Sequence, residues 1–168
     1  MKLLTITTPD VENGLGCRVT IWVAGCGHHC VGCQNPHTWS YDQGVNLTDD
    51  VKKKIYDEVS KKYIEGITLS GGDPLCQSDE SLNELISFLD EFKQKFPNKD
   101  IWIYSGYSYE ELIKHPIKKE VLNRCDVLID GEFKKNLYDP DLAFRGSYNQ
   151  RIIDLKASNG LNIIELNL

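Results

Sequence analysis

No apolar run in this chain of 168 residues approaches the ~18 residues a membrane span needs, so no membrane association is expected. Positive charge is in deficit too. Lys and Arg number 19 against 25 Asp and Glu, and a net charge of -6 argues against the basic footprint of a nucleic-acid binder. The lysine groups at 52–54, 61–62 and 118–119 lie among acidic residues on expected helices and read as solvated faces. Internal repeats and low-complexity stretches are absent. The opening MKLLTITTPD has no long apolar region and no small-residue cleavage pattern, so no export signal is expected and the reducing cytoplasm is the expected location. Disulfides are unfavoured there, and a tight group of cysteines points instead to metal or redox chemistry. The length suits one domain spanning residues 1–168.

Against these absences stands one dense feature. Cys26-Gly-His-His-Cys30-Val-Gly-Cys33 sets three cysteines at C-x3-C-x2-C spacing directly after the apolar stretch Val19 to Ala24. Three thiolates on one short loop can hold three corners of a four-iron cluster, leaving the fourth iron without a protein ligand and open to chemistry. A structural zinc site usually draws on two separated pairs of ligands, and no second close cysteine pair exists; zinc would need His28, His29 or Cys76 to complete it. The bland reading is three buried small hydrophobes. Cys17 and Cys125 suggest no role.

Hydrophobic patterning predicts alternating strands and helices. Arg18 to Ala24 is β-branched and nearly continuously apolar, as for a strand covered on both faces. Thr48 or Asp49 can cap a helix with Val51, Ile55, Val59 and Tyr63 on one stripe, ended by Gly66. A strand over Ile67 to Ser70 runs into Gly71-Gly72-Asp73-Pro74. From Ser78 a second helix aligns Leu82, Leu85, Ile86, Leu89, Phe92 and Phe96 before Pro97. Strands follow over Ile101 to Tyr104 and Val127 to Ile129, with short helices interrupted at Pro116 between them. Ile152 to Leu155 and Asn162 to Leu166 are weaker strand candidates. Right-handed crossovers would make the strands parallel, bringing the cysteine loop, Gly71-Gly72-Asp73, Ser105-Gly106 and Asp130-Gly131 to one rim. So few units cannot close an eight-stranded barrel, so the expected fold is α/β, an open partial barrel of mostly parallel strands.

The cysteine triplet followed by Gly71-Gly72-Asp73-Pro74 resembles the radical S-adenosylmethionine (SAM) superfamily. Asn13-Gly14, Asn35, Thr38-Trp39, Trp102 to Tyr107, Val127 to Phe133 and Arg145-Gly-Ser-Tyr-Asn-Gln-Arg151 extend the resemblance, within it, to the glycyl-radical activases of anaerobic ribonucleotide reductase. The resemblance implies a radical SAM-like partial barrel and a 4Fe-4S cluster on Cys26, Cys30 and Cys33. It further implies SAM bound at the open iron, an electron donor such as flavodoxin, and a 5'-deoxyadenosyl radical that takes hydrogen from a glycine of the reductase's large catalytic subunit. Gly71 and Gly72 would let backbone approach the SAM ammonium, with Asp73 as a charged acceptor. Many superfamily members carry an aromatic where Gly32 stands, so adenine would be held otherwise, through backbone around Gly32, Cys33 and Gln34. Ser105 and Asp130 would reach the ligand's carboxylate or ribose hydroxyls, although a turn or helix cap also explains each. His28 and His29 read as hydrogen-bonders of the loop. Arg145 to Arg151 could form a lid or a docking loop. Two other readings stay open: the same enzyme class acting on a small molecule, and a metal-binding electron carrier without catalysis.

Overall fold

A computed structural model describes residues 1–168. In chain order the strands are β1 (Lys2–Asp10), β2 (Cys17–Val23), β3 (Val45–Asn46), β4 (Ile64–Gly71), β5 (Asp100–Ser105), β6 (Val127–Asp130) and β7 (Arg151–Asp154). The helices are α1 (Asp49–Val59), α2 (Asp79–Lys95), α3 (Tyr109–Leu112) and α4 (Pro116–Leu122). The strands form one open seven-stranded sheet in the order β3-β1-β2-β4-β5-β6-β7. Its centre, β2-β4-β5-β6, is parallel, as the alternation predicts. Its margins are not: β1 pairs antiparallel with β2 and β3, and β7 antiparallel with β6. No helix is long and apolar enough to cross a membrane.

Period two along each strand sorts the side chains onto two faces with different chemistry. Val19, Ile21 and Val23 of β2, Ile67 and Leu69 of β4, Ile101 and Ile103 of β5 and Leu128 of β6 join the helices in a core of 25 buried residues. From the helices come Ile55 and Val59 of α1, Leu82, Leu85, Phe88, Leu89 and Phe92 of α2, and Val121 and Leu122 of α4. The intervening strand residues form the opposite face, where Trp102, Val127, Ile129 and Ile152 make a separate small cluster roofed by Phe144 and Leu166. All four helices contribute to the first face, which leaves the second free to shape a cavity.

A buried cation braces that second face. Arg18, fully buried, donates from Nε to Thr68 Oγ1 at 2.7 Å, from Nη2 to the Ile67 carbonyl at 2.7 Å and from Nη1 to the Leu15 carbonyl at 3.1 Å. Its guanidinium lies 5.1 Å from the Trp102 ring centroid and 2.7 Å from Asp100 Oδ1. Thr68 in turn donates to the Asn13 carbonyl at 2.7 Å, so the loop after β1 is tied to the middle of the sheet. Partners of this kind are what a buried charge requires.

Several expectations are corrected here. Gly66 does not end α1, which stops at Val59 with Ser60 as its cap; Gly66 lies inside β4, paired with Asp100. A Cβ there would meet the Asp100 carbonyl oxygen at 2.1 Å, so the glycine answers a close strand approach. Tyr63, beyond the helix, leaves the buried stripe and is exposed. Asn162 to Leu166 forms no strand, only isolated bridges of Asn162 with Asn159 and of Glu165 with Ile153. The expected helix start at Thr48 stands: its side chain accepts from Val51 N, and Ser78 does the same for Ser81 N at the head of α2. Pro116 begins α4 at a position that needs no donor.

Replacing Gly66 by Ala should cost about 2 kcal/mol of stability through this overpacking. The check is the urea midpoint of the purified protein, which should fall; an unchanged midpoint would mean that β4 and β5 separate at this point freely.

Candidate functional site

The cysteine loop leaves β2 and is laced back to the chain that follows it. Gly25 N donates to the Thr38 carbonyl at 2.8 Å, Cys26 N to the Trp39 carbonyl at 3.1 Å, and Cys33 N to the Cys30 carbonyl at 3.1 Å. Beneath it opens a cavity of about 530 Å³ at the carboxyl ends of the parallel strands. Its wall takes Cys26, Cys30, Cys33 and Gln34 from the loop, Gly71, Gly72 and Asp73 from the end of β4, and Ser105 from β5. Sequence reasoning thus brought eight residues to one place, where α/β sheets hold ligands. Gly32 and Asp130 are not in that wall. Gly32 turns the loop outward, where an added Cβ would meet the Lys135 side chain at 3.0 Å. Asp130 is 1% exposed, and its carboxylate accepts from Tyr109 N at 2.7 Å and pairs with the Arg151 guanidinium.

All three loop cysteines are free thiols. Burial pushes the Cys26 thiol up to about 11 and raises that of Cys30, and a metal bound there would have to displace the thiol proton. No three His, Cys, Asp or Glu side chains gather on a point that one metal ion would fill. Three soft donors spread along one cavity wall fit a polynuclear cluster, in which each thiolate takes a different iron. None of the candidate fourth zinc ligands joins them. His28 is held by carboxylates, His29 stacks on Trp39 with ring centroids 4.6 Å apart, and Cys76 lies outside the cavity wall. The Cys76 sulfur instead receives Gly27 N at 3.3 Å and the Tyr107 hydroxyl at 3.5 Å, and shares a hydrogen bond of 3.4 Å with the Tyr41 hydroxyl, which also donates to the Cys76 carbonyl at 2.8 Å. Burial raises its pKa, but these hydrogen bonds outweigh burial and leave it below the ordinary thiol value.

Asp73 organises the rim. It is 1% exposed, and its two oxygens accept five hydrogen bonds. Oδ1 takes Leu75 N at 2.7 Å and Cys76 N at 3.2 Å, while Oδ2 takes Ser105 Oγ at 3.0 Å, Gly106 N at 2.8 Å and His28 Nε2 at 2.9 Å. The hydrogen bond to Asp73 raises the His28 pKa to about 9 against the opposing effect of burial. Gly71 and Gly72 serve the same junction. Gly72 N donates to the Val23 carbonyl at 2.8 Å and Asp73 N to the Gly25 carbonyl at 2.9 Å, and a Cβ at Gly72 would lie 2.3 Å from the Gly25 oxygen. The glycines therefore let the end of β4 nest against the root of the cysteine loop.

Sequence reasoning did not single out the aromatic part of the wall: Trp22, Tyr104, Phe133 and Phe144. The available signal was the period-two position of Trp22 and Tyr104, two residues beyond Thr20 and Trp102 on the same strand face. Tyr104 also fixes the last segment, its hydroxyl donating to the Phe144 carbonyl at 2.7 Å. Arg145 and Gln150 complete that side, with Arg145 Nη1 donating to the Gln150 carbonyl at 3.1 Å.

Comparison with known proteins agrees with this chemistry. Residues 12–153 match the family of 4Fe-4S single cluster domains, a span that covers the loop, the rim and most of β7. The anaerobic ribonucleoside-triphosphate reductase-activating protein of Enterobacteria phage T4 is 44% identical over 144 residues, 85% of this chain and 87% of its own length. The proteins of the same name from Haemophilus influenzae and Escherichia coli are 41% identical (90% of this chain, 97% of theirs) and 36% identical (88% and 94%). The chain belongs to this family of reductase-activating proteins.

Two outcomes follow from the geometry. Replacing Cys26, Cys30 or Cys33 by Ala should strip most of the iron and sulfide retained after anaerobic reconstitution, whereas Cys17→Ala should retain the wild-type amount; equal iron in all four would remove the loop as the metal site. Asp73→Asn puts an amide donor among five donors and should cost about 3 kcal/mol, read as a lower urea midpoint of the metal-free protein.

Proposed function

We propose that this chain holds a 4Fe-4S cluster on Cys26, Cys30 and Cys33, binds SAM in the adjoining cavity, and installs a glycyl radical on the large catalytic subunit of an anaerobic ribonucleotide reductase. The observation that carries this reading is the convergence of the three thiols and the Gly71-Gly72-Asp73 turn on one cavity at the rim of the parallel strands. When bound, the cluster and SAM supply one-electron cleavage of a sulfonium and a carbon-centred radical strong enough to take hydrogen from a glycine.

The chain's own residues then orient and enclose. Cys26, Cys30 and Cys33 would hold the cluster through three of its irons. The oxygens of Asp73 are already occupied by Leu75, Cys76, Ser105, Gly106 and His28, so its part is to hold the β4 end of the cavity in shape. Gly71 and Gly72 keep that wall free of side chains. Gln34 and the backbone of Cys33 offer polar contacts from the loop. Gly32 supplies no aromatic surface for adenine, but Tyr104, Phe133 and Phe144 do. Asp130 works one layer down, holding Tyr109 N and Arg151 beneath the rim. The helix-free face of the sheet, roofed by the last segment, corresponds to the inside of a radical SAM-like partial barrel. A one-electron carrier of flavodoxin type would reduce the cluster, in a cytoplasm that keeps the thiols free.

The test is electron paramagnetic resonance on anaerobically reconstituted, reduced protein. A cluster signal that changes when SAM is added, followed by a glycine-centred signal once the reductase is present, is the expected result. A signal indifferent to SAM, or no cluster signal, would return the loop to a structural or electron-transfer role.

A further inference from the structure

His28 stands between Cys26 and Cys30 in sequence, yet its ring leaves the loop and fills a slot where three strands end. Nε2 lies 2.9 Å from Asp73 Oδ2, beyond β4, and Nδ1 lies 3.0 Å from Glu132 Oε1, beyond β6. Tyr107, following β5, meets the imidazole edge-on at 4.5 Å between centroids. Gly106 leaves room for it, because an added Cβ there would lie 2.6 Å from His28 Cδ2. The side chain is only 9% exposed. It also belongs to two surfaces at once, lining both the cavity and a neighbouring groove walled by Ser108, Glu111, Lys134 and Asn149. His28 makes two side-chain hydrogen bonds that leave the loop, so it ties the middle of the cysteine triplet to the rim.

We infer that His28 is a positioning residue for the cofactors: by bridging Asp73 and Glu132 it locks the segment between Cys26 and Cys30 onto the ends of β4, β5 and β6, and so sets the cluster's open side against the SAM cavity. This rests on the function proposed above. The bridge touches no iron and supplies no electron; its effect is to hold one arrangement of the loop. Partners of metal ligands commonly alter affinity or activity by about tenfold or more when removed. Here the partner is reached through the loop backbone. The cluster should therefore still assemble without His28, while the SAM-competent arrangement becomes only one of several.

The experiment titrates SAM into the anaerobically reconstituted, reduced protein and follows the change in its paramagnetic resonance, with iron measured per chain. His28→Ala should keep iron close to the wild-type content but need about tenfold more SAM for the half-maximal spectral change. Glu132→Gln, at an exposed carboxylate whose loss should not unfold the chain, should shift that midpoint by about threefold. His28→Gln restores a donor to Asp73 and should recover part of the loss. Wild-type midpoints in both His28→Ala and Glu132→Gln would overturn the inference. If His28→Ala fails to retain iron, Glu132→Gln decides, and an unchanged midpoint there overturns it as well. A wild-type signal that ignores SAM overturns the cofactor reading itself, and this inference with it.

Discussion

The buried carboxylate of Asp73 is the constraint on which the site depends. Taking one charge out of water costs several kcal/mol, and only a full set of donors offsets that. The donors come from three places: the turn after β4, the end of β5, and the loop that carries the cysteines. Each can satisfy the carboxylate only if the others are in register, so one ionised group converts three independent loop conformations into a single arrangement. The glycines at 71, 72 and 106 are the steric counterpart, since each sits where backbone or ring must approach more closely than a side chain allows.

A second division of labour runs through the sheet. The face under the helices is aliphatic and aromatic, and its packing supplies the stability. The other face carries Arg18, Thr68, Trp102 and Tyr104, whose hydrogen bonds reach outward to the loop after β1 and to Phe144. Polar residues on a strand interior would be costly in a two-sided hydrophobic sandwich. Here they act as struts, holding the two flanking segments that wall the cavity. Stability and site geometry are thus assigned to opposite sides of the same strands.

The parts of this design that depend on local pattern were legible in the sequence. β2 shows as a nearly continuous apolar run, the second half of β4 as a short strand before the glycine turn, α1 and α2 as stripes with Thr48 and Ser78 at their heads, and the cysteine spacing needs no fold to be read. β1 was not legible. Its pairing with β2 shifts register between Leu3 and Thr5 and again between Thr7 and Asp10, and each bulge breaks the alternation by which a strand announces itself. Gly66 was misread because a glycine after a helical stripe looks like a stop, whereas its reason is a backbone oxygen on a strand 34 positions further on, Asp100. In the site, the cysteines and the glycine turn could be named, but the partners of His28 lie 45 and 104 residues away in sequence, beyond the reach of any local pattern. Asp130 ends β6 as expected, and its carboxylate is engaged by Tyr109 N and Arg151, partners 21 residues away on either side that no local pattern reveals.

The margins of the sheet carry a consequence for the protein's behaviour in company. A parallel core alone would present two long rows of unpaired backbone groups to any neighbouring chain. Instead the outermost strands are β3, with two residues, and β7, with four, each running against its neighbour. A strand offered by another molecule would find too short a ladder to bind along, which is how natural sheets discourage edge-to-edge aggregation. Such protection matters most for a chain whose proposed cluster must be loaded after folding, because the protein then exists for a time with its cysteine loop unfilled.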